Sequence, residues 1–342
     1  MKIFSTLPLA LGLVLGAGPA AAAFINGHSY VPLADWAGAN GLRCARVGRS
    51  GEFVVTNRSF RLVFEKDSST AQINGVNVAL SFPVAVDKSA VLVAQLDLSK
   101  TVDPLIFPPK ISAKKITTIC LDPGHGGRDT GNRVGGAVAL DEKMFTLALA
   151  LDLAAQLKQA GFNVVLTRNK DAFVELPARP AMANKAGADL FISLHFNATQ
   201  IGKNEVEGPE TYCITPFGAA SSNAQGEGAD HSATVANRVE QKSLLLAYQE
   251  QKSLVKNLGV EDRSVRRARF AVLRDATMPA ILIEGGYMSH PVEGRKIFDA
   301  AYRRQMATAL VKGVLAYQKL TAPPPKTNPA GTNRVSSVKK LK

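Results

Sequence analysis

Read as apolar and polar positions, the chain changes rhythm near residue 116. Before it, short runs of strand-forming residues stand between turn signals, at Arg43–Val47, Phe53–Thr56, Phe60–Phe64 and Val76–Leu80. Two Asn-Gly pairs, Asn26-Gly27 and Asn74-Gly75, are flanked by such runs, as tight hairpins require. Each pair opens a similar order of Ile-Asn-Gly, strand and Leu-led short helix, a weak internal echo. After residue 116, apolar strands alternate with longer amphipathic stretches. The pattern predicts strands at Ile116–Leu121, Asn163–Thr167, Asp189–His195, Phe270–Leu273 and Ala280–Glu284. It predicts helices over Asp141–Ala160, stopped by Gly161, Pro177–Ala186, Ser232–Leu258, stopped by Gly259, and Glu293–Gln318. Such alternation predicts an α/β fold: a mixed, largely parallel twisted sheet with helices on both faces, preceded by a small β-rich domain.

The punctuation divides the chain further. Met1 to about Ala23 reads as a secretory signal, with Lys2 as its positive start, a short apolar run from Leu7 to Leu15, and small residues at Ala20–Ala23. The apolar run is too short to span a bilayer comfortably, and no later segment is long and apolar enough. Residues 24–106 form the small β-rich domain, read as a non-catalytic spacer or wall-binding module. Residues 107–115 form a linker marked by Pro108-Pro109 and lysines, and 116–320 the larger domain. Residues 321–342, with Pro323-Pro324-Pro325 and basic polar residues, cannot build a core and are expected to be disordered.

Composition adds the setting. With 46% hydrophobic and 20% charged residues, the 342-residue chain is globular. Its formal net charge is +13, and the tail alone carries Lys326, Arg334, Lys339, Lys340 and Lys342. An exported basic chain suits an anionic polymer of the cell wall or a membrane surface, and no nucleic-acid partner is expected. Its three cysteines, Cys44, Cys120 and Cys213, are too few for a disulfide scaffold. Cys120 and Cys213 lie in strand-like runs and read as small buried hydrophobes.

Four segments place metal-binding or acid/base residues where strands give way to turns or helices. His125 follows Asp122-Pro123-Gly124 and precedes Gly126-Gly127, which leave room around its ring. A phosphate-cradling loop would need a lysine and a glycine spacing that are missing here. Glu142 stands at the first turn of a helix, where the dipole favours a carboxylate whatever its role. His195 closes an apolar strand and needs a partner there. Singly, each residue has a structural explanation; together they fall at the edges of one cleft, beyond strand ends where such sheets bind ligands. Two histidines and a glutamate make a catalytic zinc shell with water at the fourth corner. Asp129, Asn197 or a backbone carbonyl would fix the histidine tautomers. Glu284, after the buried run Ala280–Ile283, is assigned as general base and then proton donor. The competing explanation for it is a structural ion pair with Arg274 or Arg168.

These segments resemble the zinc-dependent N-acetylmuramoyl-L-alanine amidases of the amidase-3 family. The resemblance rests on His125 to Asp129, Glu142-Lys143, Thr167-Arg168 through Ala183-Asn184, Ser193 to Asn197, Gly208 to Tyr212, Asp262 to Arg274, and Pro279 to Pro291. It covers about Ile116 to Leu320. It implies Zn2+ held by His125, Glu142 and His195, with Glu284 catalytic, and hydrolysis of the amide joining N-acetylmuramic acid to L-alanine in peptidoglycan. It also implies an exported enzyme of the periplasm or envelope. Arg168 and Arg179 either bind peptide carboxylates or buttress loops, with buttressing favoured. The N-terminal segment loosely resembles the amino-terminal domain of copper amine oxidases. The chain departs from the family at Gly285-Gly286-Tyr287 and at His290. Its short Thr215–Ala229 stretch leaves no clear room for a helical plug over the metal, so an open site is expected, with Glu227 and Glu240 the residues to watch. A wall-binding protein without primary catalytic function, or a zinc carboxypeptidase, are the alternatives.

Overall fold

The structure is a computed structural model and describes residues 23–47, 51–108, 115–135, 139–222 and 232–322. The signal segment up to Ala22, the middle of the linker, Glu227 and the basic tail from Pro323 lie outside the described residues.

In the N-terminal domain, β1 (Ala23–Ile25) and β2 (His28–Pro32) form the first hairpin, followed by α1 (Leu33–Ala39). Then come β3 (Arg43–Val47), β4 (Glu52–Thr56), β5 (Arg61–Glu65), β6 (Thr70–Ile73) and β7 (Val76–Ala79), an antiparallel meander. Both Asn-Gly pairs sit at hairpin turns with left-handed backbone at both residues, φ 48° and 84° at the first and 48° and 82° at the second. Strands β8 (Ala85–Asp87) and β9 (Ala90–Ala94) pair with each other, and β9 also pairs with β2. The short helices α2 (Gln95–Asp97) and α3 (Asp103–Ile106), joined by a wide turn, end this part.

The larger part begins with β10 (Thr118–Pro123) and the small ribbon of β11 (Arg133–Val134) and β12 (Leu140–Asp141). Helix α4 (Glu142–Gln159) follows, burying Phe145, Leu149, Leu153 and Leu157 at four-residue spacing. Next come β13 (Asn163–Leu166), α5 (Ala178–Lys185), β14 (Leu190–Asn197), β15 (Glu210–Cys213), α6 (Glu240–Leu258), β16 (Val265–Arg267), α7 (Ala271–Arg274), β17 (Ala280–Tyr287), α8 (Glu293–Phe298) and α9 (Ala300–Thr321). Strands β13, β10, β14 and β17 are parallel neighbours, and β15 joins β17 antiparallel, so the sheet is mixed. The central strands are apolar on both sides because helices cover both faces. Helices α4, α6 and α9 pack on one face, while α5 and α7 cover the other.

Three sequence expectations need correction. Phe270–Leu273 is not a strand: the chain leaves the sheet after β16 and makes the single turn α7, burying Val272 and Leu273. A four-residue apolar run cannot tell the two apart by period. The helix expected from Ser232 starts at Glu240, after a tight turn over Val235–Val239. The closing helix breaks at Asp299, whose carboxylate accepts from Ala301 N at 2.6 Å and Tyr302 N at 3.0 Å and so starts a new helix.

The two parts do not hang apart on their linker. Strand β7 lies beside β16, with Val78 opposite Val265, so eleven strands run as one sheet. Asp262 accepts from Asn77 N at 2.7 Å, Tyr248 donates to Ile73 O at 2.9 Å, and Lys100 meets Glu240 at 2.6 Å. One apolar cluster extends from Leu33 and Phe64 to Leu310 and Tyr317. Cys120 and Cys213 are buried and unbridged. No helix among the described residues is long and apolar enough to cross a membrane.

Candidate active site

The site lies beyond the carboxyl ends of β10, β14 and β17. The loop after β10 is held from beneath by buried charge. Asp122, wholly buried, accepts from Arg179 Nη1 at 2.8 Å, Thr167 Oγ1 at 2.6 Å and Ser193 Oγ at 2.7 Å. Arg179 also donates to Pro123 O at 3.0 Å and His125 O at 2.9 Å. Arg168 donates to Pro123 O at 2.9 Å, Gly124 O at 2.7 Å and Lys143 O at 3.0 Å. Both arginines thus fasten the backbone that presents His125. That backbone needs fastening, because His125 adopts φ 61°, a left-handed conformation unfavourable for a residue with a Cβ.

Three donor atoms converge. His125 Nε2 lies 3.1 Å from Glu142 Oε1, His195 Nδ1 lies 3.0 Å from the same oxygen, and the two nitrogens are 3.1 Å apart. The metal-donor bonds of a tetrahedral zinc site, near 2.0–2.1 Å, put donor atoms about 3.3 Å from one another, close to this spacing. The set of two imidazoles and one carboxylate, each offering one atom, fits such an ion. Asp129 Oδ2, 2.9 Å from His125 Nδ1, is placed to accept the proton of that nitrogen, the arrangement that frees Nε2 for a metal ion.

Glu142 is oriented by several donors. Its Oε2 accepts from Asn132 N at 2.9 Å and Asn132 Nδ2 at 3.0 Å, and its Oε1 accepts from Phe196 N at 3.0 Å. Burial alone would raise its carboxyl, but the bonds to His125 and His195 outweigh burial and hold it well below the usual carboxylate range. The same partners reverse the effect of burial on His125: burial lowers its pKa, yet Glu142 and Asp129 leave it raised.

Glu284 stands next to His195 across the β14–β17 pair and opposite Glu210 of β15. Its Oε2 is sealed from solvent without a hydrogen-bond partner. Burial first, then the negative charges of Glu142 and Glu210, push its carboxyl well above the ordinary range. Neither Arg274 nor Arg168 pairs with it among the described contacts. Glu210 itself is compensated, by Arg263 Nε at 2.9 Å, Tyr212 Oη at 2.7 Å and Tyr287 Oη at 2.9 Å.

A cavity of about 530 Å³ opens over these groups, with Leu176, Phe270, Val272 and Leu282 forming an apolar wall. Among the expected neighbours, Asn197 does not join the triad: its Oδ1 accepts from Ala198 N at 3.0 Å. Glu240 is engaged elsewhere, by Lys100 and by Asn237 Nδ2 at 2.7 Å. Sequence reasoning missed Asn132, which lies on a loop with no periodicity to mark it. It also missed Gly131, where a Cβ would stand 2.6 Å from both Glu142 Oε2 and His125 Cδ2.

The family model described as N-acetylmuramoyl-L-alanine amidase, Amidase_3, matches residues 119–316. The amidase AmiC of Neisseria meningitidis serogroup B is 33% identical over 220 residues, 58% of this chain and 52% of that protein, so the chain spans about half the length of that relative. The amidase AmiA of Escherichia coli K12 is 30% identical over 247 residues, 66% of this chain and 84% of AmiA. The crystal structure of an N-acetylmuramoyl-L-alanine amidase from Clostridium difficile 630 superposes with a TM-score of 0.50 at 34% identity, over 60% of this chain and 98% of that one. The family match begins after the N-terminal domain, so the likeness of that domain to copper amine oxidases gains no support from it. The matched residues contain the converging triad, Glu284 and the sheet that presents them, and the chain belongs to the amidase-3 family of N-acetylmuramoyl-L-alanine amidases.

Proposed function

We propose that this chain is a zinc-dependent amidase that hydrolyses the bond between the lactyl group of N-acetylmuramic acid and L-alanine of the peptidoglycan stem peptide. It would act in cell-wall remodelling, daughter-cell separation or lysis. The observation that carries the reading is the mutual spacing of 3.0–3.1 Å among His125 Nε2, Glu142 Oε1 and His195 Nδ1, beside an unpartnered Glu284. The activity in the names of the relatives supports the choice of bond.

His125, Glu142 and His195 would hold the zinc. Bound there, zinc supplies a Lewis acid for the amide carbonyl and lowers the pKa of water to about 7. The chain's own residues do the rest. Asp129 and Asn132 keep His125 and Glu142 aimed inward, so the donor set is assembled before substrate arrives. Glu284 takes a proton from the attacking water as the water oxygen bonds to the carbonyl carbon. It returns that proton to the alanine nitrogen as the C–N bond breaks, leaving a free amine and a lactyl carboxyl group that sheds the second water proton to solvent. A carboxyl with raised proton affinity suits the second half of that exchange. The apolar wall at Leu176, Phe270 and Leu282 keeps bulk water from competing for the proton.

Peptidoglycan lies outside the cytoplasmic membrane, so the protein works exported, in the periplasm or cell envelope. The N-terminal domain serves as spacer or wall-binding module, and the basic tail meets anionic wall polymers. The test is digestion of purified peptidoglycan with the full chain. New L-alanine amino termini should appear, vanish with chelator, return with zinc, and be missing for Glu284→Ala. Release of terminal D-alanine instead, or binding to the wall without product, overturns the reading.

A further inference from the structure

The cavity over the triad is a poor host for the anionic half of a stem peptide. No lysine or arginine among the described residues lines it, and much of its wall is apolar. A stem peptide carries carboxylates of its own on the glutamyl and diamino-acid residues that follow L-alanine. Two cations that neighbour lining residues in sequence are already engaged. Arg128 meets Glu175 at 3.1 Å and lies over the Phe173 ring, and Lys143 meets Asp171 at 2.8 Å.

A second groove differs. Beyond the ends of β14 and β17 a second cavity, about 440 Å³, is lined by Arg133, Lys203, His290 and Arg295. Lys203 and Arg295 are exposed, and neither forms an ion pair among the described residues. His290 Nδ1 accepts from Glu293 N at 3.1 Å, so its ring proton sits on Nε2 and adds a donor. Glu207 faces the Nδ1 side of that ring at 3.7 Å. Arg133 binds Asp141 through Nε at 2.7 Å and Nη2 at 3.2 Å, which leaves Nη1.

This groove adjoins the triad along the chain. Arg133 follows Asn132, whose side chain holds Glu142. Ala198, also in the lining, lies three residues past His195, about 10 Å at the rise of a strand. An extended peptide advances about 3.3–3.6 Å per residue. A stem that is cleaved at the triad and runs toward Ala198 brings its second and third residues within reach of the groove.

The geometry points to a carboxylate subsite in which Lys203, Arg295, Arg133 and His290 receive the acidic groups of the stem peptide's second and third residues, so that anionic stems are preferred over amidated ones. This rests on the amidase reading for the identity of its ligand. It also accounts for His290, one of the chain's departures from its family, as an imidazole N–H directed at an anion.

The test uses the metal-loaded full chain and two probes: the tripeptide L-alanyl-γ-D-glutamyl-diaminopimelate, and the same peptide with its carboxylates amidated. Calorimetric binding reads the groove without cleavage, and hydrolysis of the matching muropeptides reads it with cleavage. The charged form should bind and be cleaved about tenfold better, through KM rather than kcat. Lys203→Glu with Arg295→Glu should erase that preference, while Lys203→Arg with Arg295→Lys should keep it. These are exposed positions, and an unchanged melting temperature confirms folding. Retention of the preference by the charge-reversed variant, or equal binding of both peptides to the native chain, overturns the subsite. If no muropeptide is cleaved but the charged tripeptide still binds through Lys203 and Arg295, the amidase reading fails and the subsite stands.

Discussion

Gly124→Ala is the cleanest probe of how the triad is assembled. Gly124 lies under the His195 ring, where an added Cβ would stand 2.6 Å from Nδ1 and nearer still to Cε1 and Nε2. Its φ is not in the left-handed region, so alanine tests space alone and not backbone conformation. The ring cannot share that space. Ordinary contact begins near 3.4 Å and Cε1 would stand at 2.3 Å, so the imidazole or the loop must retreat by about an ångström. Metal-ligand bonds tolerate about 0.2 Å, so a shift of that size removes His195 from a shared ion. The loop cannot easily move instead, because Arg168 and Thr146 Oγ1 both hold Gly124 O, at 2.7 and 2.8 Å. Misplacement by about 1 Å costs on the order of 100-fold in rate, or about 2.7 kcal/mol of barrier. We expect kcat/KM to fall at least that far and zinc affinity, measured by competition with a chromophoric chelator, to fall with it. The fold should persist, as reported by circular dichroism. Zinc affinity and kcat/KM both within threefold of the native values, roughly 0.7 kcal/mol, would refute the account of His195.

Three other outcomes follow from the same contacts. Asn132→Ala removes one of the donors to Glu142 Oε2 but leaves the backbone N–H, so zinc affinity should fall about tenfold in equilibrium dialysis; no change would show that Asn132 does not orient Glu142. Arg179→Leu leaves the Asp122 carboxylate buried with only hydroxyl donors, and urea unfolding should show a loss of about 3–5 kcal/mol, whereas a loss below about 1 kcal/mol would mean the pair does not hold the loop. Asp97, buried and accepting from Ser81 N and Phe82 N, is pushed up to about 6 from 3.8, chiefly by burial. The folded state therefore holds this proton more tightly, so the contribution favours folding below about pH 4 and is lost as pH rises to about 6, a swing of about 3 kcal/mol. Asp97→Asn should lack this swing, so its stability relative to the native chain should rise between pH 4 and 7; a constant difference in urea unfolding would contradict the assignment.

Much of the site was readable because its chemistry is local. An apolar run ending in Asp-Pro-Gly-His-Gly-Gly marks a strand that stops at a histidine, and Ser193–Asn197 and Ile281–Glu284 do the same for their own polar ends. Period and punctuation carry that information within a few residues, and the turn residues at Asn26-Gly27 and Asn74-Gly75 carry the hairpins in the same way. Short runs defeated it: Val272 and Leu273 are apolar in a strand or a turn alike, and only packing on α5 and the sheet decided for α7.

What tertiary structure alone decided is everything that depends on which strands become neighbours. The sequence does not say that β14 lies between β10 and β17, yet that order is what brings His125, His195 and Glu284 together. Nor does it say that β7 meets β16, so a proline-marked linker looked like a boundary where the sheet and the apolar cluster are in fact continuous. The role of Asn132 was hidden for the same reason, and so were the particular carbonyls that Arg168 and Arg179 buttress. A side chain's hydrogen-bond partner is chosen by distance in space, and those contacts span 10 to 64 residues of chain. Residue chemistry was written locally; the cleft was made by pairing across the chain.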